Sequence, residues 1–442
     1  MRILTRIALG LLLFVLTSAC SGCEAVAAQF RSPAERYRLE GERLLGEERT
    51  AEAIMAFRAA VDSDAANLAA LKRLAPLYAN QGRLRLALRL LARARTQFPQ
   101  DGDVANQVGQ YTQALADGAA GNLLWKVDLG DSEPVGFGAA ASRIYLSLND
   151  GGVLAVDPIS ETVLWRVKLP AQATSAPVAA DSQLWLGAQD GQLYALAAAD
   201  GSVLWKFATK APIYASPAFN ETTVYLPSGD GTFYALERAS GALRWSFTSG
   251  AALHAQPTLA GGMVVFGSND GRLYALDAVS GQPKWADGIQ TQGAVESQAL
   301  IADDRVYVGS GDSRLYALAA ASGGEYWRFS TPDAIYATPL LSENFVIVAS
   351  AGGTLTALQK TTGQAVWNIK TGAALSYPPV SHKQQLYYVV SGRPTLYAVV
   401  AQTGAATRSF NSGDWFSAGP LILNNTLYLL SKAGYLLAYP LE

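Results

Sequence analysis

Few residues in this chain of 442 have the type and spacing that chemistry requires. Its two cysteines, Cys20 and Cys23, lie near the N-terminus, so the long remainder has no thiolate for catalysis or metal binding and no disulfide. Its two histidines, His254 and His382, are too few for a zinc or haem centre with ordinary ligand spacing, and neither has an obvious nucleophile beside it. Carboxylates are the richest set: Asp150, Asp190, Asp230 and Asp270 recur every forty residues. A calcium ion would need six to eight oxygen ligands. Each of these aspartates is followed by glycine, however, and an Asp-Gly pair accepts the positive φ angles of a type I′ hairpin. They read as turn formers, and no catalytic, cofactor or metal site is expected.

The elements that carry these turns repeat. "QDGQLYALAAADGSVLW", "GDGTFYALERASGALRW" and "NDGRLYALDAVSGQPKW" follow one another at forty residues, and Trp125, Trp165, Trp205, Trp245, Trp285, Trp327 and Trp367 mark the period, with Arg408 in the eighth place. Each unit contains four short strand signals; around Trp245 these are an inner strand near Pro217, "TTVYL", "TFYAL" and "LRWSF". Eight inner strands can be counted, yet the chain ends one strand short after "TLYLL" and "YLLAY". The missing strand is "LLWKV", from Leu123, at the other end of the repeat region. Closure by this N-terminal strand removes two exposed edges and predicts a mainly β fold, an eight-bladed β-propeller of four-stranded antiparallel blades. The seven tryptophans are expected to be structural, filling the wedges between blades.

The repeated D/G-G-x-L-Y-A-L-x-x-x-[ST]-G-x-x-x-W resembles the quinoprotein (PQQ-type) propeller repeat over residues 119–442. Two families carry that repeat. In the quinoprotein alcohol dehydrogenases the resemblance would imply a calcium, a catalytic aspartate and adjacent cysteines over the quinone. This chain lacks the adjacent cysteines, and no calcium cage is legible. In the family of the outer-membrane assembly factor BamB, the resemblance implies a non-catalytic lipoprotein scaffold without a quinone.

Residues 1–19 read as a lipoprotein signal peptide: Arg2 and Arg6, a short apolar stretch from Ile7 to Leu16, then small residues before Cys20. "LTSAC" resembles a bacterial lipobox, which implies acylation of Cys20 and a lipidated tether over 20–31. Ser21 after it implies, by analogy with Gram-negative lipoproteins, the outer membrane, with the body facing the periplasm. An ordinary cleaved signal with an incidental cysteine is the other reading.

Residues 32–117 have a helical period. Gly41, Ala75 and Gly109 recur at 34 residues, as do Ala53 with Ala87, Phe57 with Leu91, and Ala60 with Ala94. This resembles two tetratricopeptide repeats and a capping helix at about Asp103 to Leu115, a small helical domain before the propeller. Such repeats bind peptide segments of partners. Between Asp64 and Asp101 there is no acidic residue, and Arg85, Arg89 and Arg93 share one helix face. That basic patch is either a solvated face or a surface for anionic lipid head groups or an acidic partner.

In a four-stranded blade, the connector to the next blade emerges on the same face as the Asp-Gly turns, opposite the Ser-Gly turns. One residue per connector varies where its neighbours repeat: Thr174, Tyr214, His254, Glu296, Tyr336, Ser376 and Ser417. These are expected to ring the mouth of the central channel, beside Trp415 and Phe416. A two-residue lengthening within "ADGIQTQGAVES" reads as a longer connector, Asp287 to Ser297, on this face. Loops on rigid scaffolds favour recognition, and Tyr and Trp bury large areas at low entropic cost. Tyr214, His254, Glu296, Tyr336, Trp415 and Phe416 are therefore the candidate partner-binding face, against the alternative of variable loop or channel lining.

Half of the chain is hydrophobic, 16% is charged and the net charge is −2, which excludes a disordered chain and gives no basic field for nucleic acid. The combined reading is an envelope scaffold whose partners are envelope proteins, including the β-barrel assembly core subunit, and the membrane through a lipid anchor. A PQQ-dependent dehydrogenase and a scaffold of another envelope complex, such as polymer export, are the alternatives.

Overall fold

The computed structural model describes residues 31–80, 84–117, 123–286 and 288–441, with the backbone alone at 84–85 and 113–117. Cys20, Cys23, the signal-like stretch, tether residues 20–30, Asp287 and the Arg85 side chain lie outside the described residues. The chain divides into two compact units, Met1–Ala120 and Gly121–Glu442.

The first unit contains α1 (Pro33–Gly46), α2 (Thr50–Ser63), α3 (Leu68–Asn80), α4 (Leu84–Gln97) and α5 (Gly102–Asp117). Ser32 caps α1 by accepting the Glu35 N–H, and Pro33 opens it where its missing N–H costs nothing. The 34-residue repeat appears as steric pairing: a Cβ on Gly41 would fall 2.8 Å from the Phe57 ring. In the second repeat Ala75 and Leu91 take these places and both are fully buried, so a larger small residue meets a smaller large one. A Cβ on Gly109 would meet nothing within 4 Å, since among the described residues no second helix of a third repeat covers α5.

The second unit is an eight-bladed propeller of four-stranded antiparallel sheets. Blade 1 runs from Pro134 to Lys168, and blade 3 consists of Ala218–Phe219, Thr223–Pro227, Thr232–Glu237 and Leu243–Thr248. Blade 8 combines Leu421–Leu423, Thr426–Ser431 and Tyr435–Pro440 with the N-terminal strand Trp125–Asp128, which pairs from Trp125↔Ala438 to Asp128↔Tyr435.

The Asp-Gly turns differ from the expected type I′ form. Gly231 donates its N–H to Ser228 O (3.2 Å) and is at φ +81°, whereas Asp230 is not at positive φ. This is the three-residue pattern of a type I turn followed by a left-handed glycine. The Asp230 carboxylate accepts the Thr232 N–H at 2.8 Å, an Asx turn that holds the aspartate in the ordinary region and leaves the inverted one to glycine.

The tryptophans join neighbouring blades. Trp205 donates its indole N–H to Arg238 O in the next blade (3.1 Å), and Trp165, Trp285, Trp327 and Trp367 make the same bond to Ala198, Ala320, Lys360 and Ala401. The indole lies on the next Ser-Gly turn: a Cβ on Gly241, at φ +73°, would sit 2.5 Å from Trp205 Cε3. Trp245 packs likewise against Gly281, but its indole N–H has no partner; Ala278 O accepts the Tyr225 hydroxyl instead (2.8 Å). Trp125 is buried against Tyr428 in blade 8, with ring centroids 5.7 Å apart.

Blade 8 has no turn after Pro440 to receive a tryptophan, because its outermost strand comes from the other end of the repeat region. Arg408 stands at that seam, its guanidinium 3.2 Å from the Tyr387 hydroxyl and 5.0 Å from the Phe410 ring.

The lengthened spacing before blade 5 is also placed differently from the expectation. Arg272↔Gln290 and Leu273↔Ile289 match Thr232↔Thr248 and Phe233↔Phe247, so the connector Thr291 to Glu296 is as long as Ser249 to His254. The extra residues interrupt the outermost strand of blade 4 between Trp285 and Ile289. The bulge at Lys284 and Trp285, whose N–H groups both point to Ala275 O (2.8 and 3.4 Å), is the one the other blades carry at the same place, so the lengthening comes after it.

Candidate protein-binding face

On the Asp-Gly face, Asp230, Asp270 and Asp312 join blades, whereas Asp190 accepts from the Gln192 N–H and the Tyr194 hydroxyl of its own blade (3.0 and 2.7 Å). Asp230 Oδ2 accepts the Tyr234 hydroxyl (2.8 Å) and the N–H of Lys210 in the connector from blade 2 (2.9 Å). Asp270 repeats this with Tyr274 (2.7 Å) and Gly250 (3.0 Å), and Asp312 with Tyr316 (2.6 Å) and Gln292 (2.9 Å). Burial pushes the Asp230 and Asp270 carboxyls up, but the hydrogen bonds outweigh it and hold them below the usual range. Burial and the neighbouring carboxylates lift the Tyr194 and Tyr274 hydroxyls to about 12. Asp150 faces leucine where the others face tyrosine, and Lys168 takes the tyrosine's part at 2.6 Å. Burial raises its carboxyl, yet Lys168, the Gly152 N–H and Ser132 together bring it down to about 2.

The connectors stiffened in this way alternate. Ile213, Leu253, Val295, Ile335, Leu375 and Phe416 turn inward and are buried. Phe416 therefore does not belong to the expected binding face: it is 6% exposed and packs with Tyr387, Leu429 and Tyr439. Its place corresponds to Leu253, one residue before the outward position.

The outward positions form a row across consecutive blades. Tyr214 is 45% exposed and stands edge-on to His254, with ring centroids 5.1 Å apart. His254 Nδ1 lies 3.6 Å from Glu296 Oε1 and 3.2 Å from Asn269 Nδ2. Tyr336 follows on the next blade at 47% exposed, and Trp415 is 53% exposed. Thr174 donates to Ile213 O of the next connector (2.5 Å), Ser376 is tied to Ser391 Oγ of its own blade (3.0 Å), and Ser417 Oγ is buried without a partner. Asn269 was not singled out from sequence; its place just before the recurrent aspartate, on the turn facing the connector, was the available signal. Among the described residues no group of three or more His, Cys, Asp or Glu could hold a metal ion.

The helical unit contributes a groove of about 570 Å³ lined by Glu42, Lys72, Arg73, Asp103, Asn106 and Gln107 from α1, α3 and α5. Lys72 bridges Asp101 and Asp103 (3.0 and 2.6 Å), Arg73 pairs with Glu42 (2.9 Å), and Gln107 Oε1 is buried without a partner. No sequence expectation joined these residues into a site, because the ion pairs link positions about thirty residues apart. The described residues of the arginine stripe, Arg89 and Arg93, are exposed on α4, away from the buried Leu86, Ala87, Leu91 and Ala94.

With this architecture in place, the sequence matches a profile described as outer membrane protein assembly factor BamB over residues 110–216, 189–301, 289–376 and 357–440. The chain belongs to that family. Residues 44–116 match a tetratricopeptide repeat. The crystal structure of BamB from Moraxella catarrhalis superimposes with a TM-score of 0.64 at 19% identity, covering 72% of this chain and 97% of that one. The computationally designed Ika8 protein superimposes at 0.65 and 17% identity, covering 73% and 100%. Both share the fold with this BamB-family chain. No curated protein matches it significantly in sequence.

Proposed function

We propose that this chain is a non-catalytic lipoprotein scaffold, anchored through Cys20 in the outer membrane and facing the periplasm, that serves the assembly of β-barrel proteins. The observation that carries this reading is the row Tyr214, His254, Glu296 and Tyr336, with Trp415, on a face whose connectors are locked to the next blade. Large aromatic groups on a rigid frame bury area with little entropy lost, which suits a protein partner. Family membership supports the assembly role, and the helical groove supplies a second contact surface on the same tether. The dehydrogenase alternative needs free carboxylates, and the aspartates of the recurrent turns are already hydrogen-bonded to backbone N–H groups, tyrosine hydroxyls or, at Asp150, Lys168.

Pull-down of the tagged lipoprotein from solubilised envelopes tests the reading: recovery of the barrel-assembly core subunit is expected. Recovery of polymer-export proteins without that subunit moves the scaffold to another envelope complex. Alcohol-dependent dye reduction after PQQ and calcium are added overturns the non-catalytic reading.

A further inference from the structure

Charge is distributed unevenly between the two helical repeats. On α1 and α2 most arginines are answered locally: Arg38 pairs with Glu35 and Glu42, Arg43 with Glu40 and Glu47, and Arg49 with Glu47 and Glu52. On α3, Lys72 and Arg73 are answered by Asp101, Asp103 and Glu42. On α4 this stops. From Asp64 to Asp101 the chain has no carboxylate, Arg89, Arg93 and Arg95 are all exposed, and neither Arg93 nor Arg95 has an ion-pair partner among the described residues. The matching places on α2 hold Ala51, Met55 and Ala59 where α4 has Arg85, Arg89 and Arg93, so the repeat architecture does not require the arginines. Leu86, Ala87, Leu91 and Ala94 fill the core side, which makes α4 a helix with one apolar and one cationic face.

We propose that the outer face of α4 docks on the anionic head groups of the membrane to which the chain is tethered. This rests on the envelope-lipoprotein reading, because the tether from Cys20 to Arg31 spans at most about 40 Å when extended. Within that radius a cationic stripe meets a phosphate-bearing surface continually, and each arginine near it contributes to binding that salt screens. Arginine suits the task because its planar fork bonds phosphate oxygens in pairs. The contact would orient the helical unit beside the bilayer and supplement the acyl anchor.

Flotation of the full chain carrying Cys20→Ser, with phosphatidylcholine vesicles containing or lacking phosphatidylglycerol, tests this without the lipid anchor. The expected result is binding to the phosphatidylglycerol vesicles only, weakening as salt is added. Arg89→Gln, Arg93→Gln and Arg95→Gln together should lower that binding about a hundredfold at low salt, with an unchanged thermal melt. Equal binding by the triple variant, or no binding by the parent, overturns the proposal. So does capture of a purified acidic envelope protein through the same arginines when the vesicles are ignored. Release of Cys20→Ser from cell membranes separately tests the anchor, so the stripe can fail while the lipoprotein reading stands.

Discussion

The junction between blades 6 and 7 and the junction between blades 7 and 8 differ at one position of the repeat. At the first, Trp367 lies on Gly404 and donates to Ala401 O at 3.0 Å. At the second, Arg408 occupies the tryptophan's place and reaches back to Tyr387 in its own blade. The tryptophan is thus half of a two-part joint, and the other half is a glycine turn with an open carbonyl on the following blade. Where closure by the N-terminal strand removes that turn, an indole has nothing to lie on, and a long side chain whose guanidinium bonds the Tyr387 hydroxyl and lies against Phe410 fits the gap.

The sharpest way to break this comparison is to truncate each side. Trp327→Ala is expected to cost about 3–5 kcal/mol in denaturant-unfolding free energy, whereas Arg408→Ala should cost about 1 kcal/mol or less. Equal losses would show that the joint explanation is wrong. The turn side should be nearly as sensitive: Gly241→Ala places a Cβ against Trp205 at φ +73° and should cost about 2–4 kcal/mol by the same measurement.

The ion pair of blade 1 gives a pH-dependent effect. Asp150 is held at about 2 against an ordinary value of 3.8, so its contribution is fully present above about pH 4 and is lost as pH falls towards 2. Lys168→Met should remove most of that dependence, flattening the fall in melting temperature over this window. An unchanged slope would mean that the carboxyl is held down by its other hydrogen bonds.

The smallest effect should be a gain. Ser313 takes the left-handed turn position at φ +67° where Asp-Gly blades have glycine, so Ser313→Gly is expected to stabilise by about 0.5–1 kcal/mol. Destabilisation would show that the serine side chain does more than its backbone costs.

Much of the propeller was legible because its determinants are periodic. The forty-residue tryptophans, the Asp-Gly pairs and the one-strand deficit at the C-terminus together imply eight blades closed by Trp125–Asp128. What sequence concealed is set by backbone detail below the period. Whether Asp230 or only Gly231 inverts depends on a carboxylate bonding the chain two residues on. Whether two added residues lengthen a connector or interrupt a strand depends on register, which the spacing Trp285 to Glu296 does not specify. Phe416 and Ser417 are neighbours facing opposite ways, and only the alternation seen at Leu253 and His254 separates core from mouth. The groove around Lys72 joins helices through ion pairs that no local pattern announces.

The central claim is that the Asp-Gly face binds the partner, and site-specific photo-crosslinking in intact envelopes tests it most directly. A photoreactive residue at Tyr214, Tyr336 or Trp415 is expected to form an adduct with the barrel-assembly core subunit. The same residue at Val279, 84% exposed on the opposite face, should form none. Adducts from Val279, or none from the three mouth positions in a protein that melts normally, would contradict the account.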